Sequence, residues 1–441
     1  MKHLLILAYD FPPYISVGGL RPYNWFKYLK EYGVEPVVIT RQWSNNYGNG
    51  LDYVAPGSEK KTRVEHSSYG TILYTPYRPT WSNRLLLKHG KNKYKLLRKT
   101  LTAFGEIKQF LWIAGPKKEL YREAKRYMKT NPVDVIITTA DPFVLFFYAK
   151  KLSREFNVPW IADYRDPWSQ DKDFQINRLF YVWNKKLEKK IVSTSSSIIT
   201  VSEFIEHKLH EYFPSRNVHI LPNGYDPEVI DTIAELPQST NRLTISFVGT
   251  IYEWHPWKSF LDVFSDFAEE KGAGQVQLNF YGINNPSEVQ EYLKRLPVVT
   301  QESVGIFPKM PNMDLLQRLA GENVMLLFNY YSFMGTKIFD YIGTKRKILL
   351  CYANDEQALK LKEEHYTISE VEGMSKQLQV DLIRETNSGV IADNAIHLKQ
   401  LLNDLHREFS EKGKIECHST GVENYSRKIQ VKKLAEIVKD L

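Results

Sequence analysis

The sequence predicts an α/β protein built from two Rossmann-like domains, each a doubly wound parallel sheet, with the two facing a cleft. Three observations lead there. The chain has 441 residues, more than one ordinary core holds, so two domains of about 200 residues are expected. Short β-branched runs alternate with helical patterns along its whole length, the signature of strands buried on both faces and joined by crossover helices. Hydrophobic residues make up 43% and charged residues 25%, a globular balance that excludes a disordered or fibrous chain.

The opening run MKHLLILAYDFPP reads as a first strand, because Asp10 interrupts the apolar stretch and no small-residue cleavage site follows. Further strands are expected at 35–40, 71–76, 133–139, 159–164, 197–202 and 218–223, with helices near 22–32, 142–156, 178–195 and 202–212. After PNGYDP the pattern loosens into a polar stretch containing Pro237, which places a linker at 233–241 between a first domain of 1–232 and a second of 242–418. The second domain repeats the theme, with strands at 243–249, 275–281, 304–308, 323–328, 347–352 and 389–392. Residues 419–441 follow it and end in a helix with apolar positions at helical spacing.

No apolar run approaches the ~20 residues of a membrane-spanning helix. Cys351 and Cys417 are the two cysteines, which excludes a disulfide framework and points to a reducing compartment, the cytoplasm. The net charge of +8 is concentrated, since residues 84–129 hold fourteen Lys and Arg against three Glu. Within that segment Leu97, Leu101, Phe104 and Leu111 recur at helical spacing beside Trp112. Either the stripe packs on the first sheet and leaves the lysines in water, or the segment rests on an anionic membrane surface at the inner face. No nucleic-acid recognition motif accompanies the charge.

Ligands of open parallel sheets bind beyond the carboxyl ends of strands, so candidate residues are sought in the loops there. In FMGTKIFDYIG, Gly335 and Thr336 open a short helix whose free N–H groups form a phosphate seat. Lys337 adds charge, and Asp340, one turn on, is placed to accept from ribose hydroxyls. The plainer alternative is a solvated i,i+3 ion pair. In FVGTIYEWHPWK, Gly249 ends a strand and Lys258 starts a helix, either a pairing suited to a departing diphosphate or a simple strand-to-helix turn with a surface lysine. In the amino-terminal loop, Gly18 and Gly19 either admit a close backbone approach to a ligand or belong to a flexible loop that binds none, and the missing G-x-G-x-x-G spacing disfavours a nicotinamide enzyme. In PWIADYRDPW, Asp163, Arg165 and Asp166 crowd a strand end, either as a polar active site or as an internal brace. The D-x-D spacing of Asp171 to Asp173 reads as a solvated loop, and no metal is expected.

The ordered set FPP, GGLR, ADYRDPW, ITVSE, PNGYD, FVGT and TKIFDYIG resembles GT-B glycosyltransferases of family four, especially those that build bacterial surface polysaccharides, from about residue 4 to the terminal helix. The resemblance implies a retaining hexosyltransferase that needs no cofactor beyond a nucleotide diphosphate sugar as co-substrate. The second domain would hold that donor through Gly249, Lys258, Gly335, Thr336, Lys337 and Asp340. The first would hold a glycan or lipid-linked acceptor near Asp163, Arg165 and Asp166, with Gly18 and Gly19 closing over the phosphates and the terminal helix returning to the first domain. Ser332 stands where the family's first paired acid would fall, which opens the sugar's identity. A nucleotide-sugar epimerase of the same fold and a catalytically silent sugar-nucleotide-binding protein are the competing readings.

Overall fold

The computed structural model describes residues 1–14, 16–44, 51–169, 178–233, 235–368 and 370–441. Its contacts divide the chain into two units, Met1–Pro222 with Lys428–Leu441, and Asn223–Arg427. The division therefore falls at Pro222, ahead of the polar stretch at 233–241, because residues 227–233 form a short helix whose Ile230 and Ile233 join the core of the second unit.

The first unit carries eight strands: β1 (Lys2–Leu7), β2 (Val34–Arg41), β3 (Arg63–His66), β4 (Thr71–Thr75), β5 (Val135–Thr139), β6 (Trp160–Tyr164), β7 (Ser197–Thr200) and β8 (Val218–Ile220). They are ordered β3-β4-β2-β1-β5-β6-β7-β8. All pairs are parallel except the edge pair β3 and β4. The register of β1 sets Leu5 opposite Val37 on one side and Ile136 on the other. Only β3 escaped the sequence pattern. Its four residues are all exposed, so no burial rhythm marks it.

The second unit carries β9 (Leu243–Val248), β10 (Val276–Tyr281), β11 (Val304–Phe307), β12 (Val324–Phe328), β13 (Lys347–Cys351) and β14 (Gly389–Ala392). Their order is β11-β10-β9-β12-β13-β14, parallel throughout.

Apart from the exposed edge strand β3, both sheets are covered on two faces, as parallel strands require. Leu4, Ile6, Ile137 and Ile161 of the first sheet pack on Trp25 and Phe26 of the helix Val17–Tyr28, and on Val431, Leu434 and Val438 of the terminal helix Arg427–Asp440. In the second sheet, alternation sends Val324, Leu326 and Phe328 into one cluster with Phe260 and Phe264. Met325 and Leu327 go to the other, with Ile338, Phe339 and Ile342. Strand order reverses between β1 and β5 in one sheet and between β9 and β12 in the other. Those reversals are the switch points at which doubly wound sheets open a crevice for ligands.

Candidate functional site

In the second unit the switch point is framed by the residues after β9 and β12. Gly249 follows β9 with φ +97°, a left-handed conformation that side chains rarely adopt, and no atom lies within 4 Å of where its Cβ would stand. Beyond β12, a loop leads to Gly335, Thr336 and the helix Lys337–Thr344. The helix buries Ile338, Phe339, Tyr341 and Ile342. The Tyr341 hydroxyl accepts the Val248 backbone N–H at 3.0 Å. This bond joins the two motifs, FVGT and TKIFDYIG, and burial pushes the Tyr341 pKa far up, so it stays a neutral phenol.

The outward face of that helix carries Lys337 and Asp340. Their charged groups are 3.5 Å apart, with the Lys337 side chain 32% exposed and that of Asp340 16%. Thr336 makes no side-chain cap bond. Beside the turn lies a residue that the sequence reading missed. Gln379 is fully buried, its Oε1 accepts the Tyr330 backbone N–H at 2.9 Å, and its Nε2 has no partner. That Nε2 stands 3.4 Å from the position a Cβ at Gly335 would take. Leaving a buried donor unmade costs about 1–3 kcal/mol, which an acceptor seated on the turn would recover. The Ser332 hydroxyl is likewise buried without a partner. No spacing in the sequence signals Gln379, because it reaches the turn from the helix Leu378–Thr386.

Lys258 sits elsewhere. It is the second residue of the helix Trp257–Lys271, lies 3.6 Å from Glu288, and lines a cavity of about 550 Å³ with His255, Asn285, Lys360 and His365. None of Gly335, Thr336, Lys337 and Asp340 lines it. His255 is buried, its Nδ1 accepts from the Tyr252 N–H at 3.2 Å, and burial lowers its pKa to about 3.

In the first unit, Gly18 and Gly19 lie in the first turn of the helix Val17–Tyr28 rather than in a loop ahead of it, because Ser16 caps the Gly19 N–H at 2.9 Å. The Ser16 hydroxyl donates to Asp10 at 3.0 Å, while the other Asp10 oxygen is buried and unpartnered. Burial raises the Asp10 pKa, and Arg165 opposes the rise.

The three charges of ADYRDPW are not gathered into one group. Asp163 is 0% exposed and is held by Arg21 through Nε at 3.0 Å and Nη2 at 2.8 Å. Arg21 Nη1 also donates to the Leu221 carbonyl at 2.7 Å. Asp163, on a strand buried on both faces, is thus paired internally with Arg21, the geometry of the brace that was one of its two readings. Arg165 reaches the switch point instead. Its Nε donates to the Ala140 carbonyl, and its guanidinium occupies the space a side chain at Gly18 would need. Asp166 reaches the surface. Asp171 and Asp173 lie outside the described residues.

Residues 98–229 match the model of Glycosyltransferase Family 4. The chain is similar to that glycosyltransferase family over this stretch. Its two sheets have the GT-B fold of solved glycosyltransferases over its whole length. It is similar to sucrose-phosphate synthase from Thermosynechococcus elongatus at 14% identity and a TM-score of 0.59, covering 100% of this chain and 99% of that one. Against trehalose-6-phosphate synthase OtsA, the values are 10%, 0.62, 100% and 99%. Against Anabaena HepE in complex with UDP, they are 12%, 0.54, 100% and 100%. No curated protein matches the chain in sequence. Among the described residues of this GT-B chain, no helix is long and apolar enough to cross a membrane.

Proposed function

We propose that the chain is a retaining glycosyltransferase that moves a hexosyl unit from a nucleotide diphosphate carrier to a glycan or lipid-linked acceptor of a surface polysaccharide, working at the cytoplasmic face of a membrane. The observation that supports this most is the Gly335 turn. A helix start without a side-chain cap, an unpartnered buried amide at Gln379 and the Lys337 and Asp340 pair meet at the switch point of a Rossmann-ordered sheet. That the solved Anabaena HepE holds UDP agrees with a nucleotide donor.

In this reading the backbone at Gly335 and Thr336 and the Gln379 amide receive phosphoryl oxygens, Lys337 leaves its partner for the leaving diphosphate, and Asp340 turns to the ribose. Gly249 keeps the end of β9 open to the ligand, and Lys258 adds positive potential from the neighbouring cavity. The acceptor hydroxyl bonds to the anomeric carbon on the face from which the diphosphate leaves. The carbon–oxygen bond to phosphate breaks, and the hydroxyl proton passes to the departing phosphate oxygen. Fixed donors stabilise the charge that develops there, so neither a protein nucleophile nor a metal is required. Arg165 and Asp166 serve the acceptor side, with Gly18 leaving room for the Arg165 guanidinium and Gly19 allowing close approach to the backbone at Asp10 and Phe11.

A panel of nucleotide diphosphates and their sugars tests this by thermal shift. A ligand at about 100 times its dissociation constant stabilises by about 2.7 kcal/mol, and a flat response across the panel refutes the proposal. One observation favours a second reading, a binding protein without turnover. Ser332 offers a buried, unpartnered hydroxyl where the resembled family places an acid. Donor binding without acceptor-dependent release of nucleotide would establish that reading.

A further inference from the structure

The basic segment forms two helices of the first unit and leaves much of its apolar stripe exposed. The helix Trp81–His89 and the helix Lys95–Trp112 form a hairpin in the first unit. Ser82 joins them through the Arg98 carbonyl at 3.1 Å and the Thr102 hydroxyl at 2.9 Å. Arg98 fastens the intervening turn through the Gly90 and Lys91 carbonyls at 3.0 and 3.2 Å. One side of the second helix is anchored, because Phe110 is buried and stacks on Trp168. Most of the apolar stripe lies on the other side and stays exposed, with Leu101 half-buried at the groove. Phe104 is 63% exposed, Leu111 55% and Trp112 67%, with Trp81 of the first helix at 73%. A folded chain has no reason of its own to leave so many large apolar side chains in water along one helix face.

Charge identifies what covers this face. A groove of about 750 Å³ between the hairpin and the domain is lined by Trp81, Phe104, Arg78, Arg84, Lys108 and Arg122 among others, with six basic side chains in all against the single acid Glu119. Arg84 and Lys108 lie over the rings of Trp81 and Phe104. Both charged groups thus sit against exposed aromatic rings, so cation and apolar surface lie side by side on this face. A second copy of this chain would set these like charges against each other. A helix with exposed Trp, Phe and Leu and a basic polar face, too polar to span, lies in the plane of an anionic bilayer.

We propose that the hairpin 81–112 is a membrane-docking element that inserts Phe104, Leu111, Trp112 and Trp81 into the headgroup and acyl boundary of an anionic leaflet, with the basic groove facing lipid phosphates. It deepens the transferase reading, since it brings the first unit to lipid-linked acceptors, yet its test is separate.

The full chain is mixed with vesicles of phosphatidylcholine alone, or containing about 30% phosphatidylglycerol, and sedimented. Capture by the anionic vesicles at about 0.05 M salt, at least tenfold weaker at about 0.5 M or on neutral vesicles, is expected. Phe104→Asp with Leu111→Asp lowers partitioning at least tenfold with an unchanged melting temperature. Lys95→Glu with Lys99→Glu, both at exposed positions, lowers it about fivefold or more per charge, and carries the test should the first pair unfold. No capture by anionic vesicles, equal capture by neutral ones, or wild-type binding by either variant overturns the proposal. A concentration-dependent mass abolished by the apolar variant, without vesicle binding, would make this face a self-association surface and also overturns it. Nucleotide thermal shift on the same preparations keeps the two proposals apart, because loss of either response leaves the other standing.

Discussion

Replacing Asp163 by asparagine separates a brace from a catalyst. The carboxylate is fully buried and receives Arg21 Nε at 3.0 Å and Nη2 at 2.8 Å. Asparagine keeps the shape but loses the charge, and it puts an NH2 group at one of the two oxygen positions that the Arg21 guanidinium faces. Arg21 is then a buried cation without its partner, its Nη1 still fixed to the Leu221 carbonyl. Breaking such a pair from one side costs about 3–5 kcal/mol. For a unit of this size each kcal/mol moves the melting temperature by about 2–4 °C, so a loss of roughly 6–20 °C is expected in the transition of the first unit. Calorimetry is the assay, read unit by unit because two domains need not melt together. The double change Arg21→Met with Asp163→Leu should recover most of the loss, since it removes both charges. If Asp163→Asn melted within about 1 °C of wild type while turnover fell about 100-fold, the brace assignment would be wrong and the residue would belong to the chemistry.

The remaining predictions concern the two switch points. Lys337→Ala is expected to reduce turnover by about 10²- to 10³-fold with little change in melting temperature, since its ion pair with Asp340 is partly exposed and contributes little to stability. Turnover within twofold of wild type would remove Lys337 from the donor site. Gly18→Val drives the Arg165 guanidinium out of its place, because even the Cβ would stand 1.9 Å from Nη1. That atom ends a flexible side chain, so we expect a small stability change and a loss of acceptor-dependent rate, and a variant with full activity would exclude Arg165 from the site. His255 has its pKa lowered to about 3 by burial from 6.5, so the unfolded chain binds a proton there that the folded chain refuses. The stability it supports is present above about pH 6.5 and is lost progressively as pH falls toward 3, at up to about 1.4 kcal/mol per pH unit. Urea titrations should show that slope diminished in His255→Gln, and identical slopes would contradict the buried, neutral imidazole.

The elements were legible because burial leaves a rhythm. Each run of β-branched and aromatic residues that the periodicity marks, from LLIL at the start to GVIA near residue 390, is a strand, buried in the middle of each sheet and half-buried at the edges β8, β11 and β14. The strand that was not legible, Arg63–His66, is an exposed edge whose charged residues obey no core. The turn at Gly335 was legible for a similar reason. Glycine, a hydroxyl and a lysine at a helix start carry their chemistry in consecutive residues. Gln379 was not, since nothing in its own neighbourhood distinguishes an amide that pairs with Tyr330 from one that faces water.

The sequence by itself determined two parallel-sheet domains, the motifs that lie at the ends of β9 and β12, and an uneven charge concentrated in one segment. These follow from local pattern, which is set by which residues follow which. The tertiary structure alone decided the direction in which side chains point: Asp163 inward to Arg21, Arg165 to the space beside Gly18, Lys258 into a cavity apart from Lys337, and the Phe104 stripe outward. A strand's alternation or a helix's stripe gives two faces without saying which one meets the core, and only the packing of distant segments makes that choice.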